Sequence, residues 1–177
     1  MTIEHALRVP PGKLRHYQEQ YDFGVEANLD KYHQIGPMQG YLTVSQLREI
    51  CNWKSTRRAN LARLNSEAFV REITAFSFAA KCDESRIGAL TLLSGVQFPT
   101  ASVILHFCVD QSYPILDFRA IWSLGIKQPS QYTVAFWKEY VQICRAVAAK
   151  HHLNVRELDM TLWQYSSKHQ GAQRRGR

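Results

Sequence analysis

The chain has 177 residues, of which 45% are hydrophobic and 21% are charged, a composition that excludes a largely disordered protein. Its 22 Lys and Arg against 15 Asp and Glu give a net charge of +7. This surplus favours an anionic partner such as nucleic acid, although a soluble surface that happens to be basic has the same charge. No apolar run reaches the length of a membrane span or of a signal-peptide core, so we expect a cytoplasmic protein with no membrane partner.

The N-terminal third combines an irregular arm with helical patterns. Residues 1–12 form the expected arm, and a polar helix rich in aromatic residues is predicted over roughly 13–33. Gly36-Pro37 and Gly40 then indicate a turn. Thr43 then fits the N-cap of another helix, with Gln46 completing a capping box.

The central third is predicted to be helical and increasingly apolar. A helix should run from about Ser55 or Asn65 to Ala80, because apolar residues recur there at helical intervals. Asp83 and Ser85 are possible caps of the next helix. The apolar residues that predict the helix ending at Ala80 are Leu61, Leu64, Phe69, Ile73, Phe76 and Ala80.

Helices also dominate the C-terminal half. A helix that begins near Pro99 is apolar on nearly every side and should be buried. Asp117 precedes a short helix that stops at Gly125, and two longer helices are predicted, over about 130–150 and from near Asn154. Period-2 alternation is nowhere sustained, so we predict an all-α fold, a compact helical bundle containing a helix-hairpin-helix motif.

We expect one helical domain over 1–166, followed by a flexible basic tail over 167–177. The four cysteines lie far apart and form no C-x-x-C pair, so we interpret them as reduced thiols rather than metal or iron–sulfur ligands. The adjacent pair at 151–152 is interpreted as two surface histidines rather than a metal site.

The informative stretch is 92–125, where two helices are predicted to meet at a tight turn containing Gly95. Glycine suits a left-handed backbone or a close approach to another group. Unpaired N–H groups at the start of the second helix, where the dipole is positive, are suited to a phosphate oxygen. The alternative is a plain αα-hairpin in a bundle core.

The pattern L-x-G-V-x-x-x-T-A, formed by Leu93, Gly95, Val96, Thr100 and Ala101, resembles the hairpin of the HhH-GPD superfamily of base-excision DNA glycosylases. The resemblance covers mainly residues 55–125. It implies a double-stranded DNA partner that this hairpin grips by its phosphates. The implied DNA-binding residues are Gly95, Val96, Gln97, Phe98 and Thr100, with Arg57 and Arg58 as further phosphate contacts.

The resemblance also implies a catalytic aspartate. The superfamily carries an invariant Asp after the hairpin, and Asp117 occupies this place, 16 residues after Ala101. Such a carboxylate stabilises the sugar cation that forms when an N-glycosidic bond breaks, and activates water. The alternative role of Asp117 is a helix N-cap, and the two roles are compatible.

Departures from the family pattern limit the expected chemistry. Pro99 occupies the position of the lysine that gives bifunctional members their lyase activity, and Gln97 replaces a second glycine. We therefore expect a monofunctional DNA N-glycosylase that excises a damaged or modified base and needs no metal or other cofactor. Phe118-Arg119 replaces the common Thr-His pair after the aspartate.

Aromatic side chains could stack on a base that has left the duplex, and Trp53, Trp122 and Tyr113 are the candidates. Trp137 and Trp163 lie on helical stripes and are assigned to the core. Two other functions remain open, a non-catalytic helix-hairpin-helix DNA-binding module and a helical protein–protein adaptor. The sequence leaves the oligomeric state and the target base undecided.

Overall fold

The computed structural model describes residues 2–25 and 28–171, which form ten α-helices, two short 3-10 helices and no strand. The all-α prediction is confirmed, and the helices pack as a compact bundle. The α-helices are α1 Leu14–Glu19, α2 Tyr32–Gln39, α3 Val44–Lys54, α4 Thr56–Ala62, α5 Glu67–Ala79, α6 Asp83–Leu90, α7 Phe98–Cys108, α8 Phe118–Ser123, α9 Val134–Lys150 and α10 Val155–His169.

Helix α7 lies at the centre of the bundle. Every residue from Thr100 to Cys108 is buried, as its apolar sequence predicts. Helices α2, α3 and α6 pack against α7, while α10 packs against α1, α8 and α9. His106 interrupts the apolar run but is accommodated, because its Nδ1 lies 2.8 Å from the carbonyl oxygen of Tyr113 and burial lowers its pKa to about 3.

The N-terminal arm is irregular up to the 3-10 helix Pro11–Lys13 and lies along the end of α8. The N–H groups of Ala6 and Arg8 donate to the carbonyl oxygens of Leu124 and Ser123, at 2.9 and 2.8 Å. At the other end of the chain, α10 continues to His169, and most of the predicted tail, from residue 172, lies outside the described residues.

The helix predicted over 13–33 is wrong. Helix α1 ends at Glu19, a 3-10 helix follows over Phe23–Val25, and α2 begins only at Tyr32. The break has a local cause, because the carboxylate of Asp22 accepts a hydrogen bond from the N–H of Gly24 at 2.9 Å, which stabilises a turn instead of a helix.

The turn predicted at Gly36-Pro37 and Gly40 is wrong for the Gly-Pro pair, since both of these residues lie inside α2, and is confirmed at Gly40. Tertiary packing overrides the turn preference here, because α2 crosses α7 in close contact. A Cβ atom at Gly36 would lie 1.5 Å from the carbonyl oxygen of Cys108. Helix α2 instead ends at Gly40, whose φ of 74° is the left-handed conformation common after a helix.

The segment predicted as one helix from Ser55 or Asn65 to Ala80 divides into α4 and α5. The division falls at Asn65, whose side chain bonds the backbone of Ala62 and Ser94. The two predicted starts lie close to the starts of the two helices, because Ser55 precedes α4 and Ser66 caps α5. Four members of the predicted apolar pattern are exposed, namely Leu61, Leu64, Phe69 and Phe76.

Helix α5 turns a different face towards the bundle, which includes Val70, Thr74 and Ser77. The two hydroxyl groups are satisfied in the interior. Thr74 Oγ1 accepts the N–H of Leu42 at 2.8 Å, and Ser77 Oγ donates to the carbonyl oxygen of Arg86 at 2.8 Å. Because these buried positions are polar, hydropathy assigned the wrong face of the helix to the core.

Most of the helix starts follow local capping chemistry. Thr43 and Asn154 form complete capping boxes, so both predicted starts are confirmed. The start of α6 differs from the prediction, because the Sγ of Cys82 accepts the Ser85 N–H at 3.4 Å and serves as the cap. All four cysteines are free thiols, and Cys82 is the exposed one.

Candidate active site and nucleic-acid interface

Asp117 is the N-cap of α8, as its alternative role predicts. Its backbone is extended, with φ −141° and ψ 143°, and its Oδ1 accepts the Arg119 N–H at 2.8 Å. This bond leaves the second carboxylate oxygen, Oδ2, directed away from the helix backbone it caps. A cap is therefore one of the two contacts of this carboxylate, and it fixes the side chain at the start of α8.

The second contact is an ion pair with Lys54, the last residue of α3. Lys54 Nζ donates to Asp117 Oδ2 at 2.8 Å, and the two side chains are only 13% and 18% exposed. Burial raises the pKa of Asp117, but the ammonium of Lys54 and the Arg119 N–H outweigh burial, so the pKa lies below its ordinary value. Asp117 is therefore a carboxylate at neutral pH.

Lys54 and Asp117 line a pocket of about 170 Å³ between α3, α8 and α10. Three aromatic residues, Trp53, Trp163 and Tyr21, form part of its walls, and Asp159 also reaches it. The rings of Tyr21 and Trp163 meet edge to face, with centroids 5.7 Å apart. The site thus combines a shielded carboxylate with flat apolar walls, an arrangement suited to an aromatic heterocycle.

Cations border the aromatic walls. The guanidinium of Arg119 lies 5.2 Å from the centre of the Trp163 ring, and that of Arg156 lies 5.4 Å from the Tyr21 ring. Arg156 also lines the pocket itself. Positive charge at the pocket therefore comes from α3, α8 and α10, next to the carboxylates of Asp117 and Asp159.

The three aromatic residues that were predicted to stack on a base lie in different environments. Trp53 lines the pocket, whereas Trp122 stacks on Tyr165 outside it. Tyr113 is buried, stacks on Trp137 and donates its hydroxyl to Asp83 at 2.6 Å, so its ring is part of the core. The assignment of Trp137 to the core is confirmed, but that of Trp163 is wrong, because Trp163 is 39% exposed and forms a pocket wall.

The turn between α6 and α7 depends on Gly95, whose φ is 89°. A Cβ atom there would lie 2.9 Å from the carbonyl oxygen of Arg58 and 3.0 Å from the backbone nitrogen of Ala62. Only glycine fits both the conformation and the distance. The turn is consequently held against the backbone of α4, which carries Arg57 and Arg58.

Arg58 contacts the turn directly. Its Nη2 donates to Gln97 Oε1 at 2.8 Å, which places a guanidinium beside the start of α7. Gln97 is exposed, and Arg57 is exposed on the same helix as Arg58. The structure therefore brings together the turn and one of the two arginines that the sequence suggested as phosphate contacts.

The remaining predicted DNA-binding residues differ in exposure. Phe98 is half-buried, whereas Val96 and Thr100 are 3% and 2% exposed. Gln97 makes no side-chain cap, and the first α7 N–H bonded within the helix is that of Ala101. Val96 and Thr100 can therefore shape the turn, while the N–H groups of the first turn of α7 are the donors suited to an anion.

Among the pocket residues that sequence reasoning missed, four carry polar groups: Lys54, Tyr21, Arg156 and Asp159. No local pattern marks Lys54, which lies 63 positions before Asp117. The i,i+3 spacing of Arg156 and Asp159 in the sequence is typical of a local helix pair and does not by itself indicate a pocket.

Comparison of the chain with protein-family models, curated proteins and solved structures finds no match in any of the three. Within residues 2–25 and 28–171, no three His, Cys, Asp or Glu side chains are grouped to hold a metal ion. No helix in the described part of the chain has the length and hydropathy needed to cross a membrane.

Proposed function

We propose that the protein is a DNA N-glycosylase that excises a damaged or modified base. The observation that carries the proposal is Asp117, a carboxylate only 18% exposed in a pocket with aromatic walls. The second support is the turn at Gly95, whose sequence resembles the hairpin of base-excision glycosylases. A base that leaves the duplex would enter the pocket, and double-stranded DNA is the partner.

The chemistry follows from the charge that develops when the base departs. Cleavage of the N-glycosidic bond leaves positive charge at the sugar C1′, and a shielded carboxylate stabilises it more strongly than water does. Asp117 also accepts a proton from the attacking water. Because Pro99 stands where bifunctional relatives of the hairpin carry a lysine, water displaces the base and excision is monofunctional.

The aromatic walls would hold the extruded base. Stacking on Trp53 and Trp163 is sequence-tolerant, since every base has a π-face, and it compensates for part of the cost of unstacking from the duplex. The first turn of α7 and the guanidinium of Arg58 would grip phosphates beside the lesion. Such contacts position the duplex without reading its sequence.

The test is base release from labelled duplexes that carry alkylated, deaminated or oxidised bases. Free base is measured directly by chromatography, for the wild type and for Asp117→Asn, which keeps an N-capping side chain. The proposal predicts release from at least one duplex by the wild type and strongly slowed release by the variant. Release at an unchanged rate in the variant would contradict the assignment of Asp117.

A second candidate is a non-catalytic DNA-binding module. Both oxygens of Asp117 are already bonded, one to the α8 backbone and one to Lys54, which is how a purely structural aspartate looks. This candidate predicts salt-dependent binding of every duplex with the same affinity and no base release from any of them. The glycosylase predicts tighter binding of the duplex whose base it removes.

A further inference from the structure

A second concave site lies between α3 and α4, outside the pocket at Asp117. This α3–α4 groove has a volume of about 490 Å³, and it shares no lining residue with that pocket. All but one of its lining residues have polar side chains. These polar residues are Ser45, Arg48, Glu49, Asn52, Thr56 and Asn60. Excision of a base in the pocket leaves the groove without a role.

Arg48 is the cation that lines the groove. The residue is half-buried, and its buried Nε has no hydrogen-bond partner among residues 2–25 and 28–171. A charged donor that is buried without an acceptor is costly to the folded protein. This guanidinium therefore points to an acceptor that a ligand supplies.

The carboxylate of Glu49 also lines the groove, but its charge is already compensated. Lys31 Nζ donates to Glu49 Oε1 at 2.7 Å, and the Tyr32 hydroxyl donates to Glu49 Oε2 at 2.8 Å. Because Lys31 cancels the charge of Glu49, the charge of Arg48 leaves the groove positive. The ligand that this charge favours is an anion.

Two helices bring further hydrogen-bond donors to the groove. Ser45 and Asn52 belong to α3, while Thr56 and Asn60 lie one turn apart on α4. Within the described residues, none of these four side chains is engaged in a hydrogen bond. Hydroxyl and amide groups beside an arginine are the side chains that typically contact the phosphates of nucleic acid.

We propose that the α3–α4 groove binds a phosphate group, with Arg48 as its principal contact. Two sources present this group with the same chemistry, the backbone of nucleic acid and a free phosphate. The inference goes beyond the proposed function, because it assigns a site outside the pocket and does not depend on base release.

The position of the groove favours the nucleic-acid backbone as the source. Thr56 and Asn60 lie on the side of α4 that lines the groove, whereas Arg58 lies on the side that bonds Gln97 at the turn. Arg57 is exposed between these two sides. A strand whose phosphates contact Arg58 and the first turn of α7 would therefore cross α4 at Arg57 and reach the groove.

The first test follows the Nε–H signal of Arg48 by NMR in the isotope-labelled full chain. The signal is assigned by its absence from Arg48→Lys, since lysine has no such group. One titration adds a DNA duplex, and a second adds inorganic phosphate at constant ionic strength, with chloride as the reference anion. We expect the duplex to shift the signal and chloride to leave it in place. A shift with phosphate but not with the duplex would support the site and identify a free phosphate as its ligand.

The second test removes the contact. Arg48→Gln should lower the dependence of duplex affinity on salt by about one unit of slope. Arg15→Gln is the matched control, because it removes the same charge from an exposed position on α1, which packs against α10, and it should leave the slope unchanged. Equal slopes in the two variants, together with no shift of the Arg48 signal by either titrant, would overturn the inference. Both tests measure binding alone, so their failure is distinct from a failure of base release.

Discussion

The turn at Gly95 and the pocket at Asp117 are built in opposite ways. The turn is local, since its helices, its glycine and its first-turn proline all lie within 83–108, and backbone geometry defines it. The pocket collects side chains from α3, α8 and α10, and its central pair joins residues 63 positions apart. A short sequence pattern can therefore predict the turn, whereas only tertiary packing creates the pocket.

This contrast implies different responses to substitution. The stability of the turn should depend on backbone conformation and on close contacts, and should change little when the charge of a side chain is altered. The pocket should be sensitive to charge, because each partner of its ion pair is shielded from water and depends on the other. Variants that alter one property at a time can separate the two regions.

The largest effect on stability is expected at Lys54. Lys54→Met leaves the shielded carboxylate of Asp117 without its cation, which should lower the free energy of unfolding by about 3 kcal/mol at pH 7. Urea unfolding of the wild type and the variant measures the difference. Lys138→Met is the matched control, because it breaks an exposed ion pair with Glu84 that solvent screens, so its loss of stability should be much smaller. Equal losses in the two variants would contradict a shielded pair.

The same variant has a pH signature. The wild-type pKa of Asp117 lies below its ordinary value, so the pair stabilises the protein fully above the unfolded-state pKa and less as pH falls through the folded-state pKa. In Lys54→Met, burial should raise the pKa of Asp117. The difference in unfolding free energy between the wild type and Lys54→Met should therefore become smaller as the pH falls from 7 to 4. A difference that does not change with pH would show that the charge of Asp117 is not the cause of the lost stability.

The next effect is expected at Gly95. Gly95→Ala forces a residue with a side chain into a φ of 89° and against the α4 backbone, so we expect a loss of about 2 kcal/mol in unfolding free energy. Gly88→Ala is the control. Gly88 lies inside α6 with nothing within 4 Å of an added Cβ, and alanine should stabilise the helix by about 0.5 kcal/mol. Two variants of unchanged stability would refute the close approach.

A smaller effect is expected at the pocket wall. Trp163→Ala removes a half-exposed ring that is proposed to stack on the base, and it should slow single-turnover base release about tenfold. Trp122→Ala removes an indole that stacks on Tyr165 outside the pocket and should leave that rate unchanged. If both variants slow release equally, stacking on Trp163 is not the reason.

The smallest effect is expected at the turn surface. Arg58→Ala removes one proposed phosphate contact, so the dependence of DNA affinity on salt should fall by about one unit of slope for every duplex sequence. Lys150→Ala, an exposed change at the end of α9, should leave the slope as it is. Binding titrations at several salt concentrations measure the slope for both variants. An unchanged slope for Arg58→Ala would show that Arg58 does not contact a phosphate.

The success of the sequence predictions follows the same division between local and tertiary structure. The capping box at Thr43, the cap at Asp117 and the start of α10 at Asn154 were predicted because a cap needs only residues within one turn. The buried helix α7 was predicted because it is apolar all round. Gly36 was wrongly assigned to a turn, because its role is to allow the close approach of α7, and a local sequence pattern does not show such a contact.

The pocket could be predicted only in part. Asp117 was identified through the family resemblance and Trp53 as an aromatic residue that could stack on a base. Trp163 was assigned to the core, because a helical stripe does not reveal where the bundle ends. Lys54 had no pattern of its own, since its importance comes from a carboxylate on another helix. Long-range pairs of this kind are decided by how helices pack, which is the information that a single sequence conveys least.

Single-turnover base release by the wild type and Asp117→Asn on the same lesion duplex, with DNA affinity measured in parallel, decides whether Asp117 is catalytic. We predict that the variant binds the duplex as the wild type does but releases the base about a thousandfold more slowly, because the sugar cation loses its carboxylate. Equal release rates in the two proteins would show that Asp117 only caps α8.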